Sequence, residues 1–166
     1  MKKINFALSL VLLSVFSIQA QGFKGGFSLG FPSEDTHTFS IIAQVSYLFE
    51  VEDNIMVGPF TGYSHSFGDD ITITDNLGNE NNVEENDYQY APVGISGRYL
   101  LTENLYGGLD LGYAIGLGNA NDGGFYYAPK IGFSISDSYD IIAAYRGVAV
   151  NGGSFNILSA GIEFYL

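Results

Sequence analysis

The chain has 166 residues, no cysteine and a net charge of −12. That length fits one domain. The missing thiols exclude a disulfide framework and a thiolate metal site, and the acidic balance excludes nucleic acid as a partner, because phosphate binding needs clustered Lys and Arg.

Residues 1–20 stand apart. Lys2 and Lys3 precede an apolar run from Ile4 to Ile18, and Ala20 precedes Gln21. A charged start, an apolar middle and a small residue before the cut describe a cleaved secretory signal. The mature chain is then 21–166, with all 18 acids but only four bases: Lys24, Arg98, Lys130 and Arg146. It holds 22 Gly, 12 Tyr and 13 Phe, which favours strands over helices. No later apolar run is long enough for a membrane helix. Closed β-barrels cross membranes without one.

Eight segments follow with period-two alternation: about 22–31, 39–51, 54–68, 88–101, 104–118, 125–136, 140–150 and 155–166. In the first, Phe23, Phe27, Leu29 and Phe31 oppose Lys24, Gly26, Ser28 and Gly30. In the second, Phe39, Ile41, Ala43, Val45 and Tyr47 oppose Ser40, Ile42, Gln44, Ser46 and Glu50. Pro59, Pro92 and Pro129 lie inside the third, fourth and sixth segments and cannot donate to a ladder. Each is expected to mark either a bulge, which would invert parity beyond it, or a place where the strand is not fully paired. In the fourth, Val93, Ile95 and Tyr99 oppose Gly94, Ser96 and Arg98. The fifth sets Leu109, Leu111, Tyr113 and Ile115 against Asp110, Gly112, Ala114 and Gly116. In the sixth, Ile131, Phe133 and Ile135 oppose Lys130, Gly132 and Ser134; in the seventh, Ile141, Ala143 and Tyr145 oppose Arg146. The last sets Leu158, Ala160, Ile162, Phe164 and Leu166 against Ser159, Gly161, Glu163 and Tyr165.

The connections alternate between tight turns ("EDN", "TEN", "DSY") and longer loops. The wiring is an up-and-down meander whose two ends face different compartments. The longest loop, 69–87, carries seven acids and reads as mobile, although "ITIT" at 71–74 alternates and suits an extension of the hairpin.

Charge decides which face is inside. All four bases lie on the small, polar face, and so do Glu50, Asp110 and Glu163. The other acids fall in loops, turns or strand edges. A soluble barrel would carry many charges outside and large apolar groups within. The opposite pattern predicts an all-β, eight-stranded antiparallel up-and-down transmembrane β-barrel, with lipid on its apolar face and side chains filling its bore. The expected lumen network pairs Lys24, Arg98, Lys130 and Arg146 with Glu50, Asp110 and Glu163, since an unpaired buried charge costs several kcal/mol, roughly.

The final "SAGIEFYL" resembles the terminal assembly signal of bacterial outer-membrane barrels: Ser159, Gly161, Phe164 and Leu166 stand at its polar, glycine and two bulky positions. The family usually ends in Phe, and Leu166 departs from that. The whole mature chain resembles the small outer-membrane barrels of the OmpA-transmembrane, OmpX and OmpW type, without a periplasmic domain. The resemblance implies residence in the bacterial outer membrane, recognition by the barrel-assembly machinery, and contact with outer-membrane lipids and lipopolysaccharide.

Some barrels of this size modify lipid A with His, Ser and an acid near the outer rim. Here His37 lies near Asp35 and Ser40, and His65 lies between Ser64 and Ser66. "SHS" is not a specific motif, and no catalytic residue is assigned. The acidic loop lacks the full spacing of a calcium loop, and no cofactor or metal is expected. The function expected is a structural and surface-interaction protein with a plugged lumen. The alternative is a small passive channel, which the lumen glycines favour. An enzyme stands third.

Overall fold

The computed structural model describes residues 22–33, 37–74, 80–84, 86–118, 123–150 and 152–166. The segment read as a signal lies outside them. Eleven strands form: β1 (Phe23–Pro32), β2 (His37–Tyr47), β3 (Phe49–Glu52), β4 (Ile55–Gly68), β5 (Asp70–Thr74), β6 (Glu80–Glu84), β7 (Tyr88–Leu100), β8 (Leu105–Leu117), β9 (Gly124–Ser136), β10 (Tyr139–Val150) and β11 (Gly153–Tyr165). β3 continues β2 after a break at Leu48. β5 and β6 pair only with each other, from Asp70↔Glu84 to Thr74↔Glu80. Part of the 69–87 connection is therefore a two-stranded arm, the extension that "ITIT" suggested.

The remaining strands are antiparallel to their chain neighbours. β1 pairs with both β2 and β11, and β2 pairs with β4. These pairings close an eight-stranded barrel with no free edge along most of its height, the condition for a sheet to cross hydrocarbon. Asn54, in the turn between β3 and β4, takes the left-handed conformation (φ 75°) that a tight hairpin needs.

The faces follow the parity of the sequence. Leu109, Leu111, Tyr113 and Ile115 are 43–51% exposed, whereas Asp110 and Ala114 are fully buried. Lys24, Arg98, Lys130 and Arg146 are all buried in the bore. Large apolar side chains outside and ionised groups inside are the inverse of a soluble protein. That arrangement is stable only where the outer solvent is hydrocarbon.

Of the two outcomes expected at the prolines, the bulge is absent and the incomplete pairing is found. Registers through Pro59↔Ile95, Pro92↔Ala114 and Pro129↔Leu109 run without a shift. Each proline instead interrupts the ladder on its other side. The β2–β4 ladder stops at Ser46↔Phe60, next to Pro59. The β4–β7 ladder skips Pro92, and the β9–β10 ladder skips Pro129, and both resume in the same register. A residue in an antiparallel strand sends its N–H to one neighbour only, so losing that donor spares the other ladder and leaves parity intact. The register shifts that do occur lie at strand ends, between His37 and Ser40, Glu50 and Glu52, and Tyr139 and Asp140.

Candidate functional site: the filled bore

The bore is filled in two layers. The layer nearer the short turns is ionic. Arg98 grips Glu163 with two nitrogens, Nη1 to Oε2 at 2.6 Å and Nη2 to Oε1 at 3.0 Å. Lys130 Nζ lies 2.7 Å from Asp110 Oδ2 and 3.7 Å from Glu163 Oε1. Asp110 also accepts from Ser96 Oγ at 2.6 Å and from Gln44 Nε2 at 2.8 Å. Nearest the rim, Lys24 Nζ lies 2.6 Å from Asp140 Oδ2, and Ser134 Oγ donates to Asp140 Oδ1 at 2.7 Å. Tyr106 ties the pairs together: its Oη accepts from Arg98 Nη1 at 3.1 Å and donates to Glu163 Oε2 at 3.1 Å.

Arg146 has neutral partners. Its Nη1 donates to Gln44 Oε1 at 2.9 Å and to Tyr126 Oη at 3.1 Å, and its Nε donates to Ser159 Oγ at 3.0 Å. The Gln44 amide therefore stands between a cation and a carboxylate, with its oxygen to Arg146 and its nitrogen to Asp110. Either charged residue at that position would face a like charge on one side.

The layer nearer the long loops is apolar. Ile42, Phe60, Tyr90, Tyr126, Val148, Phe155 and Ile157 are buried against one another. Tyr126 lies 5.7 Å from Phe60 and 6.1 Å from Tyr90, centroid to centroid, and Tyr88 packs on Phe155 at 4.2 Å. These separations are those of favourable aromatic pairs.

Six of the seven residues named for the lumen network are thus buried in the bore. Glu50 is not among them. It is exposed, as is all of β3. β1 begins opposite Tyr47, so among the described residues β3 has β4 alone as a paired neighbour. Glu50 pairs with Met56, which pairs with Arg98, yet its side chain is exposed. Asp140 takes its place as the third carboxylate. Its even spacing from Arg146 was the available signal, and its position at the start of a strand disguised it as a turn residue. Gln44, Tyr106 and Tyr126 were also missed as members. All three share parity with a lumen charge, but no charge of their own draws notice.

The four residues read as an assembly signal lie on β11 and just past it. Ser159 is in the bore on Arg146, Gly161 pairs with Ser28, Phe164 is half-buried beside Phe27, and Leu166 is exposed with its N–H on Phe23 O at 3.0 Å.

Glycine has a sharp role at position 132. The Tyr106 ring lies across Gly132 on the neighbouring strand, in the space a Cβ would fill. Gly132→Ala should displace the ring and its bonds to Arg98 and Glu163. The expected loss is about 1–3 kcal/mol in a urea titration of the barrel refolded in vesicles. A loss matched by Gly107→Ala, where a Cβ meets nothing, would refute this reading.

At the loop end, His65 and Asp87 form a separate polar cluster on the outer face, with Nε2 to Oδ2 at 3.0 Å. His37 packs edge-on against Phe155 and Tyr88. Ser40 and Ser66 bond through their hydroxyls at 2.6 Å. The hydrogen-bond partners of the His65 ring are Tyr63 and Asp87, not a serine. No cluster of three metal-ligating side chains occurs among the described residues.

No protein-family model and no curated protein matches the chain. Solved structures do. A de novo designed transmembrane β-barrel matches with 11% identity over 88% of this chain and 96% of its own, at a TM-score of 0.56. The designed barrel TMB2.3 matches with 15% identity over 87% and 94%, at 0.55. The Yersinia pestis outer membrane protein Ail, in a phospholipid bilayer nanodisc, matches with 14% identity over 86% and 98%, at 0.52. At such identities the likeness concerns the fold. Together with the inverted faces and the ring closure, it gives this chain the fold of a small eight-stranded transmembrane β-barrel.

Proposed function

We propose that the protein is a closed structural barrel of the bacterial outer membrane that acts through its loop end, in contact with lipopolysaccharide, neighbouring proteins or external surfaces. An N-terminal signal exports it, and the terminal Ser159–Leu166 segment presents it to the assembly machinery. The observation that carries this reading is the double filling of the bore. Ions meet a salt-bridged layer and then an aromatic one, in a barrel size whose interior side chains just fill. A path for solute would require displacing both. The long acidic connection at the loop end supports this reading, since scaffolds commonly carry function on loops.

Planar-bilayer conductance tests it. Protein refolded in detergent, with the gel shift between unheated and boiled samples as proof of folding, is expected to give no discrete steps. Steps in the wild type that disappear when Gly112 and Gly116 are enlarged would overturn this reading in favour of a passive channel.

A further inference from the structure

A groove of about 410 Å³ runs over β1, β2 and β4 on the outer wall. That size falls among small-molecule sites, about 300–1,000 Å³. Gly25, Ala43 and Thr61 keep its floor low, and Phe27, Phe164 and Tyr63 stand around it. The Phe164 ring lies over Gly25 and stacks on Phe27, with 6.3 Å between centroids, so this rim is packed. The groove opens to the medium that the outer wall meets, which is hydrocarbon.

Tyr63 joins the groove to a polar cluster nearer the loop end. Its Oη donates to Gln89 Oε1 at 3.0 Å and lies 3.1 Å from His65 Nδ1. The other ring nitrogen, Nε2, lies 3.0 Å from Asp87 Oδ2, and Asp87 Oδ1 accepts from Gly68 N–H at 3.1 Å. In the ladder His65 stands between Gln89 on β7 and Ile41 on β2, and Tyr63 stands opposite Ala43. The cluster therefore borders the groove on its loop side, and Asp87 is its outermost member.

Charge decides what suits this end. The bond from Gly68 holds the Asp87 carboxyl below its ordinary range, so it is ionised at neutral pH. Its side chain is 44% exposed. An ionised carboxylate has about four lone-pair sites, and the bonds from Gly68 and His65 leave acceptor capacity over. The four described Lys and Arg side chains are enclosed in the bore, so none stands on the outer wall. Seven acids lie between residues 69 and 87. A head group that is only anionic meets repulsion here, with no Lys or Arg among the described residues to offset it. An ammonium group meets a carboxylate with room to accept a charge-assisted hydrogen bond.

We propose that the groove and Asp87 together form a site for a membrane lipid whose head group carries an ammonium. One acyl chain lies along Gly25 and Ala43, the linkage region passes Tyr63 and His65, and the ammonium donates to Asp87. The low floor admits a chain closer to the backbone than the neighbouring wall does, where Leu29, Ile41 and Ile162 project. The site lies outside the barrel, so it holds whether or not the bore conducts.

Native mass spectrometry of the intact barrel tests it. The protein is released at pH 8 from vesicles holding equal amounts of phosphatidylethanolamine and phosphatidylglycerol with matched chains. The wild type should retain phosphatidylethanolamine about two- to fivefold over phosphatidylglycerol, the range for a partly exposed ion pair. Asp87→Asn should abolish the preference while the gel shift persists. Glu103→Gln, an acid at the short-turn end, should keep it. Ala43→Leu, with Thr61→Leu as a second way to fill the floor, should lower retention of both lipids. Equal retention by the wild type, or a preference that survives Asp87→Asn, overturns the site. So does a preference lost equally in Glu103→Gln, which would mark general charge. Unchanged retention in both filled variants would remove the groove as the seat of the chain and overturn it as well.

Discussion

Replacing Asp110 with alanine is expected to lower the unfolding free energy of the barrel, measured by urea titration in lipid vesicles, by about 3–5 kcal/mol. Asp110 is fully buried and has three partners: Lys130, Gln44 and Ser96. Among the described residues, the substitution leaves Lys130 with Glu163 at 3.7 Å as its one counter-charge, beside an already paired Arg98. It also frees the Gln44 amide, whose other end holds Arg146. The damage therefore reaches two cations through one carboxylate. Asp110→Asn keeps the shape and part of the hydrogen bonding, and its loss should be smaller. A loss under about 1 kcal/mol for Asp110→Ala, the size of an exposed pair, would remove the network from what holds the barrel together.

The second large effect concerns Arg98. Arg98→Met should also cost about 3–5 kcal/mol, because the buried Glu163 loses its two-nitrogen partner. The pair Arg98→Met with Glu163→Leu should recover much of that loss. Removing both charges removes both desolvation penalties, and apolar replacements of similar volume can be nearly neutral. A double-mutant cycle on the two positions should therefore show coupling of about 2 kcal/mol. Additive losses would mean that Glu163 is satisfied by Lys130 and Tyr106 without Arg98.

Much of this molecule is legible in its residues one at a time. Alternation in "LDLGYAI", with Leu109 outward and Asp110 inward, is a local property of the backbone and needs no partner strand to be read. So is the contrast between tight turns and long loops, which sets the meander. The positions of Lys24, Arg98, Lys130 and Arg146 on the small face are equally local, and they suffice to turn the barrel inside out.

What a residue touches across the bore is a different matter. Asp140 and Lys24 are 116 positions apart in the chain and 2.6 Å apart in space. Closure of the ring brings them together, and no spacing encodes the meeting. Glu50 shares parity with Gln44, yet it is exposed, and among the described residues no β1 partner stands opposite β3. The prolines preserve register because each turns its missing donor toward one neighbour, a choice made by the pairing and not by the strand. The sequence by itself determined the faces, since side-chain alternation is set within each strand. Only the tertiary structure decided the partners, since height in the barrel, register and the end of the wall depend on all eight strands at once.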